Sequence, residues 1–279
     1  MSFSKVPVLT YHSVNIVENS YRANDHIALA SDLSTLTRLG WRIVSIREVV
    51  SWHQFSNVES GSEKAVAISC DDGSWFDYYD LEHPTCGMQR SFLNILRDFK
   101  AQWGAYIKSP PHITTFVISS PDARDELDKK GLIGKRWWGD EWWSDAEASG
   151  MMEIGCHSWD HVHPDLERVV QRNQVKGDFS LINSFQDCEI QVRRAGDYIA
   201  AQLEGRRPIL YAYPWGEASE YIQTTYLPNY RDRHGFEAAF STEPKPLEKS
   251  DSIWSLPRFV FGRDWTSPEG LESLLKECS

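Results

Sequence analysis

Three stretches of the sequence place chemically capable side chains directly after short apolar runs. In Ala65-Val-Ala-Ile-Ser-Cys-Asp-Asp-Gly73, a strand-like run meets two adjacent carboxylates and a glycine. Successive strand side chains point to opposite faces, so Asp71 and Asp72 are expected to face different ways. One of them can ligate a metal while the other holds or accepts a proton. Gly73 lets the chain turn sharply. The same residues also fit a plain Asp-Asp-Gly turn closing a hairpin.

The second stretch is Met152-Glu-Ile-Gly-Cys-His-Ser-Trp-Asp-His161. His157 and His161 are four residues apart, and on a helical turn both imidazoles would reach one point in space. Imidazoles with a carboxylate suit a divalent transition metal that keeps positions open for water and substrate. His163 competes for the place of His161. A surface cluster of histidines is the alternative, but the chain has only nine histidines and three of them fall within these seven residues, 157–163. The third stretch, Ile209-Leu-Tyr-Ala-Tyr-Pro-Trp-Gly216, again runs from a strand into a turn. Pro214 fixes its own φ and Gly216 permits a tight turn. Such a turn can aim the backbone N–H of Trp215 at a developing oxyanion, although strand-Pro-x-Gly is also a common plain turn.

Elements must carry these residues to one place. Short apolar runs alternate with helix-like stretches along all 279 residues, the pattern of an α/β fold with mostly parallel strands. Strands are expected at Val6–Thr10, Ile43–Ser45, Ala65–Ser69, Ile113–Ile118, Met152–Gly155, Ile209–Tyr213, Ala238–Ser241 and Ile253–Leu256. Helices are expected at Ala28–Leu39, Ser91–Phe99, Ser144–Ser149, Asn183–Leu203 and Glu269–Lys276. A polar stretch, Pro121–Gly139, lies in an inserted excursion near residues 121–143 of a single domain spanning 1–279. Trp137, Trp138, Trp142 and Trp143 end that excursion and could line a sugar-binding groove or pack into the core.

Composition narrows the function classes. Hydrophobic residues make up 41% and charged residues 25%, which excludes fibrous and disordered chains. A net charge of −11 argues against nonspecific binding to nucleic acid or anionic membranes. No apolar run approaches the roughly 20 residues that a membrane-spanning helix needs. The five cysteines form no CxxC pair, so neither a disulfide framework nor a zinc ribbon is indicated. The opening MSFSKVPVLTYHS has no basic then apolar leader pattern, and the expectation is a cytoplasmic protein with reduced thiols.

Taken together and in this order, the three stretches resemble the polysaccharide deacetylase family, also called the NodB-homology or carbohydrate esterase 4 family. Ser69-Cys-Asp-Asp-Gly73 resembles its first motif, His157-Ser-Trp-Asp-His161 its second, and Tyr211-Ala-Tyr-Pro-Trp-Gly216 its third. Pro7-Val-Leu-Thr-Tyr-His-Ser13 resembles the opening strand of the branch that begins with a Tyr-His pair. Trp41-Arg-Ile-Val-Ser-Ile46 is similar to its next helix–strand unit, and Leu256-Pro-Arg258 to its closing strand. The resemblance implies a distorted (β/α) barrel of about seven strands, with the site at the strand C-terminal ends. It implies Asp71 as general base and Asp72, His157 and His161 as ligands of one divalent transition metal, zinc foremost, with nickel or cobalt as alternatives. It implies the Trp215 N–H as oxyanion donor, while Trp75 and Tyr78, which follow Gly73, and Tyr213 and Arg258 are the candidate substrate contacts.

Two family features are missing. No histidine follows His234, so the late L-x-H motif is absent, and the resemblance to the Tyr-His branch implies the early His12 as general acid. Leu210-Tyr-Ala212 carries no arginine to hold the base, leaving Arg258 or Arg263 as substitutes. The implied activity is a metal-dependent deacetylase removing an acetyl group, N-linked, from a sugar of a surface-polysaccharide precursor. Its substrate would be an acetylated, nucleotide-linked or lipid-linked sugar. The alternatives are an amidohydrolase on a small non-sugar amide or cyclic ureide, and a catalytically silent carbohydrate-binding relative.

Overall fold

The computed structural model describes residues 3–55, 63–132 and 134–278. Among the described residues ten strands are formed: β1 (Val8–His12), β2 (Arg42–Val44), β3 (Ala65–Asp72), β4 (Leu81–His83), β5 (Gly87–Gln89), β6 (Ile113–Val117), β7 (Met152–Cys156), β8 (Leu210–Ala212), β9 (Ala238–Phe240) and β10 (Phe259–Val260). Seven of them run in the order β10-β1-β3-β6-β7-β8-β9, and β2 pairs beside the first half of β3. Every pairing in this sheet is parallel, while β4 and β5 form a separate antiparallel hairpin. A single parallel bridge between Phe240 and Leu256 carries the chain from β9 back towards β10 and β1, so the sheet curls on itself. This is the curled α/β half-barrel expected from the sequence.

The two faces of the sheet carry different cores. Leu9, Tyr11, Val66, Ile68, Ile113 and Ile154 face outward and pack on the helices. Val8, Ala65, Ala67, Phe116, Leu210 and Phe240 face inward, where Val49 and Trp52 of the helix Ile46–Phe55 close the N-terminal end. The inward face changes character along the strands. On β1 it reads Val8, Thr10, His12, and on β3 Ala65, Ala67, Ser69, Asp71, with Val8 beside Ala67, Thr10 beside Ser69 and His12 beside Asp71. The interior is thus apolar at the bottom and polar at the top, where a parallel sheet leaves its strand ends open.

Most expected elements form close to their expected bounds, while the helix Ile46–Phe55, the β4–β5 hairpin and β10 form where none was expected. Ile253–Leu256 is not a strand. Pro257 has no N–H to offer a ladder, so regular pairing resumes only at Phe259, two residues further on. Residues 185–202 are one helical run interrupted by a π segment at Glu189–Arg194. The polar stretch after Ser120 forms a helix, Pro121–Gly131. Ser120 caps it by accepting from the Ala123 N–H, and Pro121 sits at the first helical position, where its missing donor costs nothing. Among the described residues no helix is long and apolar enough to cross a membrane.

Candidate active site

The sequence residues with the sharpest chemistry converge at the open end of the curled sheet. His12, Asp71, Asp72, His157, His161 and Trp215 line one cavity of about 310 Å³. His163, Thr242, Val260 and Arg263 complete its wall.

Asp71 and Asp72 do face different ways. Asp71 points inward from the end of β3 and is 4% exposed. Asp72 follows with φ 77°, a left-handed conformation that costs most residues energy but that aspartate tolerates better than most. Gly73 continues the turn at φ +74°, and a Cβ there would lie 2.5 Å from Val117 Cγ1, so only glycine fits.

Beneath Asp71 lies Arg258, fully buried. Its guanidinium donates to both carboxylate oxygens, Nη1 to Oδ1 at 2.7 Å and Nη2 to Oδ2 at 2.9 Å. Its Nε donates to the Ser241 carbonyl, and its planar face lies over the Phe116 ring. Burial pushes the Asp71 carboxyl up. Arg258 outweighs it, helped by His157, and leaves the group ionised with a pKa of about 2. This corrects the assignment of Arg258 to substrate: it reaches no cavity and serves Asp71. The arginine missing from Leu210-Tyr-Ala212 is supplied instead from the segment just before β10. Of the two substitutes read from the sequence, Arg263 lies on the cavity wall, bonded to Asp264 and Thr242.

Asp72, His157 and His161 each offer a ligand atom, all within 4.8 Å of one another. Asp72 Oδ1 lies 3.8 Å from His157 Nε2 and 3.7 Å from His161 Nε2. Ligands on a tetrahedral zinc stand about 3.3 Å apart, so each Asp72–histidine pair lies within about half an ångström of that spacing. His157 Nδ1 bonds the Ala212 carbonyl at 2.9 Å, which leaves Nε2 free to ligate, as metal-binding imidazoles require. The donor set therefore fits a divalent transition metal. The two histidines are not on a helical turn, as the four-residue spacing had implied. Ser158 and His161 have φ of 72° and 61°, and the Ser158 hydroxyl accepts from the His161 N–H, so a tight irregular turn folds His161 back over His157. The ring centroids are 4.8 Å apart. His163 stands outside the ligand set. Its Nδ1 accepts from the Asp165 N–H, which places the proton on Nε2.

His12 ends β1 directly beside Asp71. Its backbone N–H donates to Asp25 Oδ2 at 2.7 Å, and its own Nδ1 is buried without a partner. Burial raises the Asp25 carboxyl to about 7, the His12 N–H and charge and Asn15 pulling it only part of the way back. Trp215 adopts φ 54° over the cavity, its ring 4.3 Å from His161. Thr242 donates to the Trp215 carbonyl, and a Cβ on Gly216 would lie 2.2 Å from Thr242 Oγ1, so this turn too needs its glycine.

Three expected substrate contacts stand elsewhere. Tyr213 is fully buried and its hydroxyl donates to the Trp254 carbonyl, so it reaches no cavity. Trp75 packs on Tyr79, and Tyr78 stacks on Trp142, both in a half-buried aromatic wall outside the cavity lining. Asp25 and Thr242 had no sequence signal, because each depends on a long-range neighbour or a local turn.

No protein-family model matches the sequence, and no curated protein matches it. Solved structures do. The deacetylase PplD of Streptococcus pyogenes, solved in complex with acetate, is 20% identical over 97% of this chain and 98% of its own, with a TM-score of 0.61. IcaB of Ammonifex degensii is 17% identical over 99% and 98%, with a TM-score of 0.62. A de-N-acetylase of Aggregatibacter actinomycetemcomitans is 16% identical over 97% and 99%, with a TM-score of 0.61. The structural neighbours are thus polysaccharide deacetylases, and what they share with this chain is the fold.

Proposed function

We propose that the chain is a metal-dependent deacetylase of the polysaccharide deacetylase family, hydrolysing the N-acetyl group of a sugar in a surface-polysaccharide precursor. The observation that carries this reading is the convergence of Asp72, His157 and His161 beside the buried Asp71–Arg258 pair, at the open strand ends. A divalent metal held by those three residues, zinc foremost, would when bound supply Lewis acidity towards the acyl oxygen and a water.

The chain's own residues supply the proton chemistry. Asp71, held ionised by Arg258, takes a proton from the water that adds to the acyl carbon. The Trp215 N–H is a fixed donor for the oxygen on which charge develops. His12, across the register from Asp71, gives a proton to the leaving nitrogen as the C–N bond breaks, and the products are acetate and a free amine.

Acetate release from N-acetylglucosamine oligomers tests this reading. The expected result is release that a chelator abolishes and added zinc, nickel or cobalt restores. Release that chelation leaves untouched would move the chain to the metal-free amidohydrolase alternative. His12→Ala is expected to keep the metal and lose turnover by about 10²-fold or more on amide substrates, with a smaller loss on an ester whose leaving group needs no proton. An equal loss on both would take His12 out of the acid role.

A further inference from the structure

The turn that aims Asp72 is held from outside the barrel. The Asp72 carbonyl accepts two hydrogen bonds, from the Ile118 N–H at 3.2 Å and from the indole Nε1–H of Trp138 at 3.1 Å. Three residues on, the Trp75 N–H donates to the Trp137 carbonyl at 2.7 Å. The Trp137–Trp138 pair therefore grips both ends of the sequence Asp72-Gly73-Ser74-Trp75. Trp138 itself is 8% exposed.

The pair is braced in turn. Arg124, 2% exposed, donates from Nη1 to the Trp138 carbonyl at 2.8 Å and from Nη2 to Asp140 at 2.5 Å. Tyr198 donates to the same Asp140 oxygen at 2.6 Å. Asp128, also buried, accepts the backbone N–H groups of Arg136 and Trp137. This much fixing is directed at a residue whose φ of 77° is unfavourable without external support. Holding that carbonyl fixes the peptide plane after Asp72 and so keeps the residue in its left-handed φ, which sets the direction of its Cα–Cβ bond from the end of β3.

We propose that Trp138 is a positioning residue of the metal site. Its indole N–H locks the Asp72 peptide so that the carboxylate meets His157 and His161, and the polar excursion that carries it is part of the site's scaffold. This rests on the reading of Asp72, His157 and His161 as metal ligands. Loss of the lock lets the peptide rock about the Asp72 Cα, and the ligand set then has to be ordered by the metal itself. Residues that orient a ligand typically change affinity by 10–100-fold when removed.

The test is the zinc dissociation constant of the full chain, measured by competition with a chromophoric chelator, for the wild type, Trp138→Phe and Trp142→Phe. Trp142 belongs to the same excursion, but its Nε1 donates to the Gly139 carbonyl and not to the Asp72 turn. Trp138→Phe is expected to weaken zinc binding by about tenfold or more, and Trp142→Phe to leave it within about twofold. Equal affinity in the wild type and Trp138→Phe, or equal weakening by both substitutions, would overturn the proposal. Should phenylalanine prevent folding, benzothienylalanine at position 138 keeps the bicyclic shape, replaces the N–H by sulfur and is read in the same way. A wild type that binds no zinc, nickel or cobalt would instead refute the underlying metal-site reading, and with it the proposal.

Discussion

Replacing Asp71 by asparagine lowers turnover by about 10²–10⁴-fold and leaves the metal bound, because the amide keeps the shape of the carboxylate but takes no proton. The expectation is sharp because Asp71 has no other structural duty towards the metal: its neighbour Asp72 belongs to the donor set and Asp71 does not. The substitution does remove the counter-charge of a fully buried guanidinium. The variant therefore also loses stability, and its turnover has to be read well below its melting temperature, with metal content measured on the same sample. Turnover within a few-fold of the wild type would exclude Asp71 as the base.

Removing the other half of that pair acts mainly on stability. Arg258→Met leaves a buried carboxylate without its cation and is expected to cost about 3–5 kcal/mol at pH 7. The pH dependence distinguishes this cause from a packing defect. In the wild type the Asp71 carboxyl sits at about 2, against about 3.9 in an unfolded chain. Its pairing therefore contributes stability that is fully present above about pH 4 and fades as the pH falls towards 2. Without Arg258, the effect of burial is no longer offset by that cation, and the carboxyl moves above the unfolded value. The variant then gains stability as the pH falls from 7 towards 4, and its deficit against the wild type narrows over that range. Urea unfolding at pH 7 and pH 5 measures it. A deficit of the same size at both pH values would point to lost packing around Phe116 and not to the unpaired charge.

Much of the site was legible because its residues end strands. Asp71 and Asp72 follow Ala65–Cys70, His157 follows Met152–Cys156, and His12 ends Val8–Tyr11, so apolar runs alone bring them to one edge of a parallel sheet. Local motifs were read correctly in position but less well in shape. The turn at Ser158 and His161 uses left-handed backbone that four-residue spacing cannot announce. The partner of Asp71 was ambiguous because Arg258 is 187 residues away in sequence, and nothing short of the closed sheet separates it from Arg263. Tyr213 illustrates the opposite error. A motif position next to a functional turn reads as a substrate contact, yet strand alternation turns its ring into the core. Trp138 was visible only as one of four tryptophans, since its indole N–H acquires meaning from a carbonyl 66 residues earlier.

The most direct test of the central claim is the metal content of the purified protein beside a His157→Ala control, by elemental mass spectrometry. About one equivalent of zinc, nickel or cobalt is expected in the wild type, and its loss in the variant, because the imidazole that the Ala212 carbonyl orients is gone. A wild type that holds no such metal even after reconstitution, or a variant that holds as much, would contradict it.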